Sequence, residues 1–124
     1  MSQVLVIDDS TELLEMFEIV LIKNAFDVRT ALNKNQALKK LATNVPDIIL
    51  LDIFLRDDDG RTFCKELKSH ELYHSIPIIL MSSNANKLKD YQTFLADDYL
   101  EKPFSIRSLL EKMNNLLMAA HHVL

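Results

Sequence analysis

The sequence predicts a doubly wound α/β domain, in which helices cover both faces of a parallel β-sheet. Short apolar runs alternate five times with longer amphipathic segments, in the order strand then helix. Two of these runs, 48–51 and 78–81, are unbroken and aliphatic, as is typical of parallel strands that are buried on both sides. Because crossovers between parallel strands are right-handed, this alternation favours a doubly wound sheet.

The first two strand–helix units are predicted between residues 4 and 42. The run 4–7 predicts the first strand, and Asp9 or Ser10 can cap the helix that follows. Residues 26–30 alternate as a half-buried strand does, and Asn33 can cap the second helix. The apolar residues with helical spacing are Leu13, Leu14, Phe17, Val20 and Leu21 in the first helix, and Ala37, Leu38, Leu41 and Ala42 in the second.

The remaining strands are predicted at 47–52, 77–82 and 98–102. Pro77 suits the first position of its strand, where a missing N–H is tolerated. The helices after these strands are predicted from Phe63, Cys64 and Leu67, which follow Gly60; from Leu88, Tyr91 and Leu95; and from a stripe between Ile106 and Ala120, which Ser105 can cap.

Composition restricts the possible functions. The 124 residues are 48% hydrophobic and 26% charged, as expected for one soluble domain spanning 1–124. A net charge of −4 disfavours nucleic acid as the main partner. One cysteine excludes an internal disulfide, and one glycine excludes the glycine-rich phosphate loops. Since no signal peptide or membrane-length apolar run is visible, we expect a cytoplasmic protein that does not bind membranes.

Polar side chains stand at the carboxyl ends of the predicted strands. Asp8 and Asp9 follow the first strand, Asp52 ends the third, Ser82 the fourth and Lys102 the fifth. Ligands of doubly wound sheets bind at this edge. If the first and third strands are neighbours, three carboxylates meet there and repel one another by several kcal/mol. Mg²⁺ would neutralise them, because it prefers carboxylates, water and a phosphate oxygen.

This set of groups suits the acceptance of a phosphoryl group. A carboxylate can attack phosphorus to form an aspartyl phosphate, and phosphoryl transfer needs mainly alignment and charge stabilisation. The expected roles are nucleophile for Asp52; metal ligands for Asp8, Asp9, Asp52 and the backbone carbonyl of Phe54; and contacts to the phosphoryl oxygens for Ser82 and Lys102.

In this order and spacing, the chain resembles the response-regulator receiver domains of two-component signalling. The resemblance covers essentially the whole chain. It implies a flavodoxin-like (βα)5 fold with strand order 2-1-3-4-5. We expect a single-domain, chemotaxis-type receiver with no effector domain in 1–124, either a stand-alone protein or one cut from a longer regulator or hybrid kinase. The residues that carry it are the Asp8-Asp9 pair, Asp52 at the end of an apolar strand, Gly60 eight residues later, Ser82, and the closing segment 97–104.

The resemblance implies a phosphorylation switch. Asp52 would accept a phosphoryl group from a sensor histidine kinase or a phosphotransfer protein, with Lys102 beside it and a cis peptide before Pro103. Ser82 and Tyr99 would form the switch, with the tyrosine swinging inward when the hydroxyl moves. A downstream target protein would bind the face of helix 4, strand 5 and helix 5. Self-phosphorylation and self-dephosphorylation, both Mg²⁺-dependent, would be the only reactions, so the domain is not expected to be an enzyme.

Several positions depart from the family pattern. Arg56 stands where proline is common, so we expect a less rigid loop. Ala25 and Leu95 stand where glycines are common, so the geometry of these two turns is left open. The stretch 82–102 is short for the family, which predicts a truncated or irregular fourth helix. Phe54 is bulky and apolar, so we expect it to hinder water and slow self-dephosphorylation.

Two other functions are compatible with the acidic rim. One is a pseudo-receiver scaffold that works without phosphorylation, which the loop departures favour and the intact acid set disfavours. The other is an aspartate-nucleophile phosphatase or a dehalogenase-like enzyme. Such enzymes usually carry a second acid two residues after the nucleophile, where this chain has Phe54. We interpret the run 57–59 as a solvated acidic loop and Cys64 as a core residue.

Overall fold

The computed structural model describes residues 1–121, which form one parallel sheet with helices on both faces. The strands of this sheet are β1 (Gln3–Ile7), β2 (Asp27–Ala31), β3 (Ile48–Asp52), β4 (Ile78–Ser82) and β5 (Asp98–Glu101). The helices are α1 (Thr11–Lys23), α2 (Lys34–Thr43), α3 (Gly60–Lys68), α4 (Ala85–Leu88) and α5 (Ile106–His121). No helix in this part of the chain has both the length and the apolar character needed to cross a membrane.

The strand order is β2-β1-β3-β4-β5 and every neighbouring pair is parallel, which confirms the predicted topology. Ile7 is opposite Leu51, so the residues that follow β1 are level with the end of β3. Asp52 is opposite Met81, which places the end of β4 at the same level. The register therefore brings the carboxyl ends of the three central strands to one rim.

Alternation along the buried strands divides the core into two layers. Leu5 and Ile49 face the layer under α2 and α3, whereas Val4 and Leu50 face the layer under α1 and α5. Cys64 belongs to the first layer and is fully buried, as predicted, and burial raises the pKa of its thiol to about 12. The unbroken apolar runs are thus explained, because each face of the sheet is covered.

Side chains cap the helices where the sequence predicts. Of the two candidates for α1, Ser10 is the cap, since its Oγ accepts a hydrogen bond from Leu13 N at 3.2 Å. Asn33 Oδ1 caps α2 in the same way at 2.8 Å. Ser105 Oγ accepts from the backbone N–H of Ser108 at 3.0 Å at the start of α5.

The segment between β4 and β5 contains little regular helix. As predicted from its length, α4 is truncated to the four residues Ala85–Leu88 and is followed by turns as far as residue 95. The backbone there bonds over short spans, with Tyr91 N donating to Leu88 O at 3.1 Å and Thr93 N to Asp90 O at 2.9 Å.

A short antiparallel hairpin follows β3, and the sequence pattern did not predict it. Phe54–Leu55 pairs with Asp58–Asp59, and Arg56 is in the turn between them. Leu55 is buried in the core and anchors the hairpin. The loop that contains Arg56 therefore forms a paired hairpin, and its lower rigidity stays a prediction. Two strand residues on each side are too few for a visible period-2 pattern.

Ala25 and Leu95 both adopt the left-handed conformation, with φ of 69° and 65°. Each of them closes a turn of the same type. Phe26 N donates to Leu21 O at 3.0 Å after α1, and Ala96 N donates to Tyr91 O at 3.1 Å in the later segment. This six-to-one bond is the Schellman motif, in which glycine usually takes the left-handed position. The two turns therefore keep the glycine geometry without glycine, which decides a point that the sequence left open.

Replacing either residue with glycine is expected to stabilise the domain. A Cβ in the left-handed region costs roughly 1–2 kcal/mol, and glycine's greater freedom in the unfolded chain offsets part of the gain. We expect Ala25→Gly to raise the free energy of unfolding in urea by about 0.5–1 kcal/mol. Leu95→Gly should show the same sign with a smaller gain, since it also removes the buried part of a leucine side chain that is 44% exposed.

The matched control for these variants is Ala42→Gly. Ala42 is also exposed, but it lies in α2 with helical geometry. Glycine there should lower stability by roughly 0.5–1 kcal/mol. A loss of stability in Ala25→Gly similar to that in the control would show that the turn carries no strain.

Candidate functional site

Three acidic residues meet at the carboxyl rim of the sheet. One carboxylate oxygen from each of Asp8, Asp9 and Asp52 lies within 4.8 Å of the others. Asp8 is 0% exposed and Asp52 is 7% exposed. Asp8 Oδ1 accepts a hydrogen bond from Ser10 N at 3.0 Å, which fixes one side of that carboxylate. The predicted meeting of carboxylates from the first and third strands is confirmed.

Lys102 bridges two of these acids. Its ammonium is 2.8 Å from Asp8 Oδ2 and 3.0 Å from Asp52 Oδ2. Its backbone N–H donates to Ser82 O at 2.8 Å, which continues the pairing of β4 with β5 up to the lysine. The peptide bond that follows, to Pro103, is cis, as the resemblance implied. The lysine is therefore held at the rim rather than displayed on the surface.

The charge balance of this cluster is negative. The pKa of Asp52 is raised from 3.8 to about 6, chiefly because burial disfavours its charge and also because Asp8 repels it; the hydrogen bond from Lys102 offsets only part of this. Burial opposes the charge of Lys102 as well, yet hydrogen bonds to Asp8 and Asp52 outweigh burial and raise its pKa. The raised pKa of Lys102 and the raised pKa of Asp52 are consistent with each other. The one ammonium is attracted by two carboxylates, whereas each carboxylate has only a share of one ammonium.

The donor set fits a small divalent cation. All the side-chain groups offered are carboxylate oxygens, which hard cations such as Mg²⁺ prefer over nitrogen or sulfur. One lysine leaves excess negative charge among the three carboxylates, and a cation would remove it. Asp8, Asp9 and Asp52 are the side chains that would hold the ion. The Phe54 carbonyl stays a predicted fourth ligand.

Phe54 and Gly60 position the end of β3. The backbone N–H of Phe54 donates to Asp52 Oδ1 at 3.1 Å. A Cβ on Gly60 would lie 2.1 Å from the backbone oxygen of Asp52, a distance at which atoms overlap. Gly60 N also donates to Ile53 O at 2.6 Å. The one glycine of the chain therefore stands where α3 approaches the acidic residue too closely for any other side chain.

Ser82 and Tyr99 occupy different places. Ser82 is buried at the end of β4, and its Oγ accepts a hydrogen bond from Asn84 N at 3.0 Å. Tyr99 is 40% exposed, outside the acidic cluster. Its ring centroid is 5.0 Å from that of Tyr91, and the ammonium of Lys112 is 4.3 Å from the Tyr99 centroid. The structure thus shows Tyr99 turned towards the surface.

Asp59 has a role that the sequence analysis missed. It is exposed, as expected of the run 57–59, but its Oδ1 also accepts from Arg61 N at 2.8 Å and caps α3. The Arg61 side chain lowers the pKa of this carboxyl by a hydrogen bond. An aspartate immediately before a helical pattern is itself a capping signal, which could have identified the role.

The chain belongs to the response regulator receiver domains, whose family model matches residues 4–114. It is 33% identical over 120 residues to the alkaline phosphatase synthesis transcriptional regulatory protein PhoP of Bacillus subtilis, covering 93% of this chain and 48% of that protein. The chain spans about half the length of the curated relatives that it matches.

Solved structures agree with this assignment. The fold matches a two-component response regulator from Clostridium difficile with a TM-score of 0.86 and 27% identity, over 95% of this chain and 97% of that one. It matches the chemotaxis protein CheY4 of Vibrio cholerae with a TM-score of 0.86 and 26% identity, over 94% and 98% of the two chains. Residues 4–114 thus form a receiver domain of two-component signalling.

Removing the lysine should make the free energy of unfolding depend more strongly on pH. Lys102→Met deletes the contacts that lower the pKa of Asp52, so that pKa rises further above its unfolded value near 3.8. A carboxyl whose pKa is raised by folding favours the folded state at acid pH, and this stability is lost as the pH rises through the folded pKa. We expect Lys102→Met to lower the free energy of unfolding by about 3 kcal/mol near pH 8. The difference from the wild type should narrow as the pH falls through the folded pKa of Asp52, which is about 6 in the wild type.

The measurement is urea unfolding with a metal chelator present at both pH values. Lys112→Met is the matched control, because Lys112 contacts Tyr99 and Asp98 away from the acidic cluster. A loss for Lys102→Met that stays equal at both pH values would contradict the proposed charge balance.

Proposed function

We propose that this domain is the phosphoacceptor of a two-component or phosphorelay system, and that Asp52 receives the phosphoryl group. The observation that carries the proposal is the single ammonium of Lys102 shared between Asp8 and Asp52, with Asp9 beside them. Three carboxylates and one ammonium leave excess negative charge at the site, which one divalent cation, Mg²⁺, can compensate. With the cation bound, the site can accept one phosphoryl group. Membership of the receiver family supports the same reading.

The donor in this proposal is a phosphohistidine on a sensor histidine kinase or a phosphotransfer protein. A carboxylate oxygen of Asp52 attacks phosphorus, a P–O bond forms as the P–N bond breaks, and the electron pair of that bond returns to the imidazole. Bound Mg²⁺ would supply positive charge beside the transferring oxygens. With its pKa near 6, Asp52 is mostly ionised at neutral pH and able to attack.

Lys102 and Ser82 would stabilise the product. The ammonium of Lys102, already 3.0 Å from Asp52, can donate to an oxygen of the phosphoryl group formed there. The hydroxyl of Ser82 lies at the same rim, and in the unphosphorylated domain it accepts from Asn84 N. A phosphoryl dianion would draw this hydroxyl towards itself as a donor, which releases that contact.

The output in this proposal is a change at the face of α4, β5 and α5. Inward movement of Tyr99 would remodel a surface cavity of about 400 Å³ at this face. We propose that a downstream target protein binds there, that self-dephosphorylation resets the switch without turnover of another substrate, and that the exchange takes place in the cytoplasm. The cavity is lined by Ala85, Leu88, Lys89, Tyr91, Tyr99 and Glu101.

Incubation with acetyl phosphate tests the proposal. In the presence of Mg²⁺, we expect the intact mass to rise by one phosphoryl group, and we expect no rise in Asp52→Asn or in the presence of a chelator. A domain that stays unmodified with acetyl phosphate and with phosphohistidine donors would be a scaffold. Continuous hydrolysis of phosphate esters would instead indicate a phosphatase.

The lifetime of the phosphoryl group should depend on Phe54. This side chain follows Asp52 by two residues and is 64% exposed, and we propose that its apolar ring hinders the approach of water to the acyl phosphate. Phe54→Asn should shorten the phosphoryl half-life several-fold, because an amide can bind and orient the attacking water. The half-life is measured by the loss of added mass after the donor is removed.

Phe54→Leu is the matched control, since it keeps an apolar side chain at the same position. It should retain most of the wild-type half-life. Equal half-lives for the wild type and Phe54→Asn would show that the ring does not protect the phosphoryl group.

A further inference from the structure

Contacts beyond the acidic cluster lead from Asp52 to the hairpin that follows it. Phe54, whose N–H donates to Asp52 Oδ1, is opposite Asp59 in the hairpin. Gly60 then packs its backbone against the backbone of Asp52. The position of the residue 54 backbone therefore depends on how Asp59 is held.

Arg61 holds Asp59 through both carboxylate oxygens. Its Nε donates to Oδ1 at 3.2 Å and its Nη2 donates to Oδ2 at 2.9 Å. Such a two-point contact fixes orientation as well as distance. The Arg61 side chain is only 22% exposed, so the pair is partly shielded from water and salt.

A ring from the segment after α4 covers this arginine. The Cζ atom of Arg61 is 5.1 Å from the ring centroid of Phe94, within the distance of a cation–π contact. Phe94 belongs to the turns that replace a longer fourth helix. No continuous helix orders that segment. Side-chain contacts such as this one therefore contribute more to fixing its position.

We propose that Arg61, clamped between Asp59 and Phe94, is a positioning residue for the phosphoacceptor site, and that this clamp couples the segment 89–95 to metal occupancy of the site. The inference rests on the proposed function, because it assigns the Phe54 carbonyl to the metal. Arg61 touches neither metal nor phosphoryl group in this scheme; it orients the hairpin that supplies the ligand.

The coupling works in both directions. If metal binding favours the clamped hairpin, it also favours the position of Phe94, and an intact clamp strengthens metal binding by the same factor. If the coupling free energy equals the lower value of a cation–π contact, about 0.5–1 kcal/mol, the metal affinity changes about two- to fivefold. This coupling reaches the α4 side of the domain without passing through Ser82 or Tyr99.

Magnesium titration by calorimetry tests the clamp. We expect Phe94→Leu and Arg61→Gln to raise the Kd for Mg²⁺ about two- to fivefold. Phe94→Tyr keeps an aromatic face and should restore the wild-type value. Arg107→Gln is the matched charge control, because Arg107 forms an exposed ion pair with Glu111 on α5, and it should leave the Kd unchanged.

Amide hydrogen exchange supplies a second readout. Mg²⁺ should slow exchange at residues 89–95 in the wild type and have a much smaller effect in Arg61→Gln. Without metal, Phe94→Leu should speed exchange in the hairpin, at 54–59. Urea unfolding checks that each variant is folded. If Arg61→Gln does not fold, the comparison of Phe94→Leu with Phe94→Tyr decides whether the clamp affects the affinity for Mg²⁺.

These results separate the inference from the proposed function. If the wild type binds Mg²⁺ and is phosphorylated while Phe94→Leu matches it in Kd and in hairpin exchange, the clamp is overturned and the phosphoacceptor role stands. If the wild type takes up no Mg²⁺, the proposed function fails, and the coupling to metal fails with it.

Discussion

The sharing of one ammonium between two buried carboxylates is the interaction on which the rest of this structure depends. The ammonium of Lys102 lies within 3.0 Å of a carboxylate oxygen of both Asp8 and Asp52, so each acid is only partly neutralised. Two buried carboxylates without a counterion would repel strongly in a low dielectric. With the lysine as its one cation, the cluster keeps a negative charge, which favours the binding of a metal cation. A bound cation would in turn stabilise the negative charge of a phosphoryl group.

Steric demands explain where the chain uses its single glycine. At Gly60 a Cβ would overlap the backbone of Asp52, and only a shift of α3 or of β3 could relieve it. At Ala25 and Leu95 the left-handed backbone costs a Cβ only about 1–2 kcal/mol. The fold tolerates the small backbone strain at the two turns. At Gly60, beside Asp52, there is no space for the Cβ of another residue.

In the proposed switch, two routes would join the site to the α4 side of the domain. One passes through Ser82 at the end of β4 and Tyr99 on the neighbouring strand β5. The other passes through the hairpin, Arg61 and Phe94. The second ends in the segment between β4 and β5, and the first reaches that segment through the contact of Tyr99 with Tyr91. After the truncated α4, residues 89–95 of this segment form turns. A segment with little regular structure can change position at low cost.

The sequence by itself determined the fold class, the helix caps at Asn33 and Ser105, and the acids and lysine of the rim, whereas it left Asp9 and Ser10 as alternative caps of α1. It could do so because buried parallel strands are continuously apolar, so a charged residue at the end of one is conspicuous. Tertiary structure alone decided the hairpin 54–59, the sharing of Lys102 and the contact of Arg61 with Phe94. These depend on residues far apart in the chain or on segments too short to show a period, and local pattern carries no information about either.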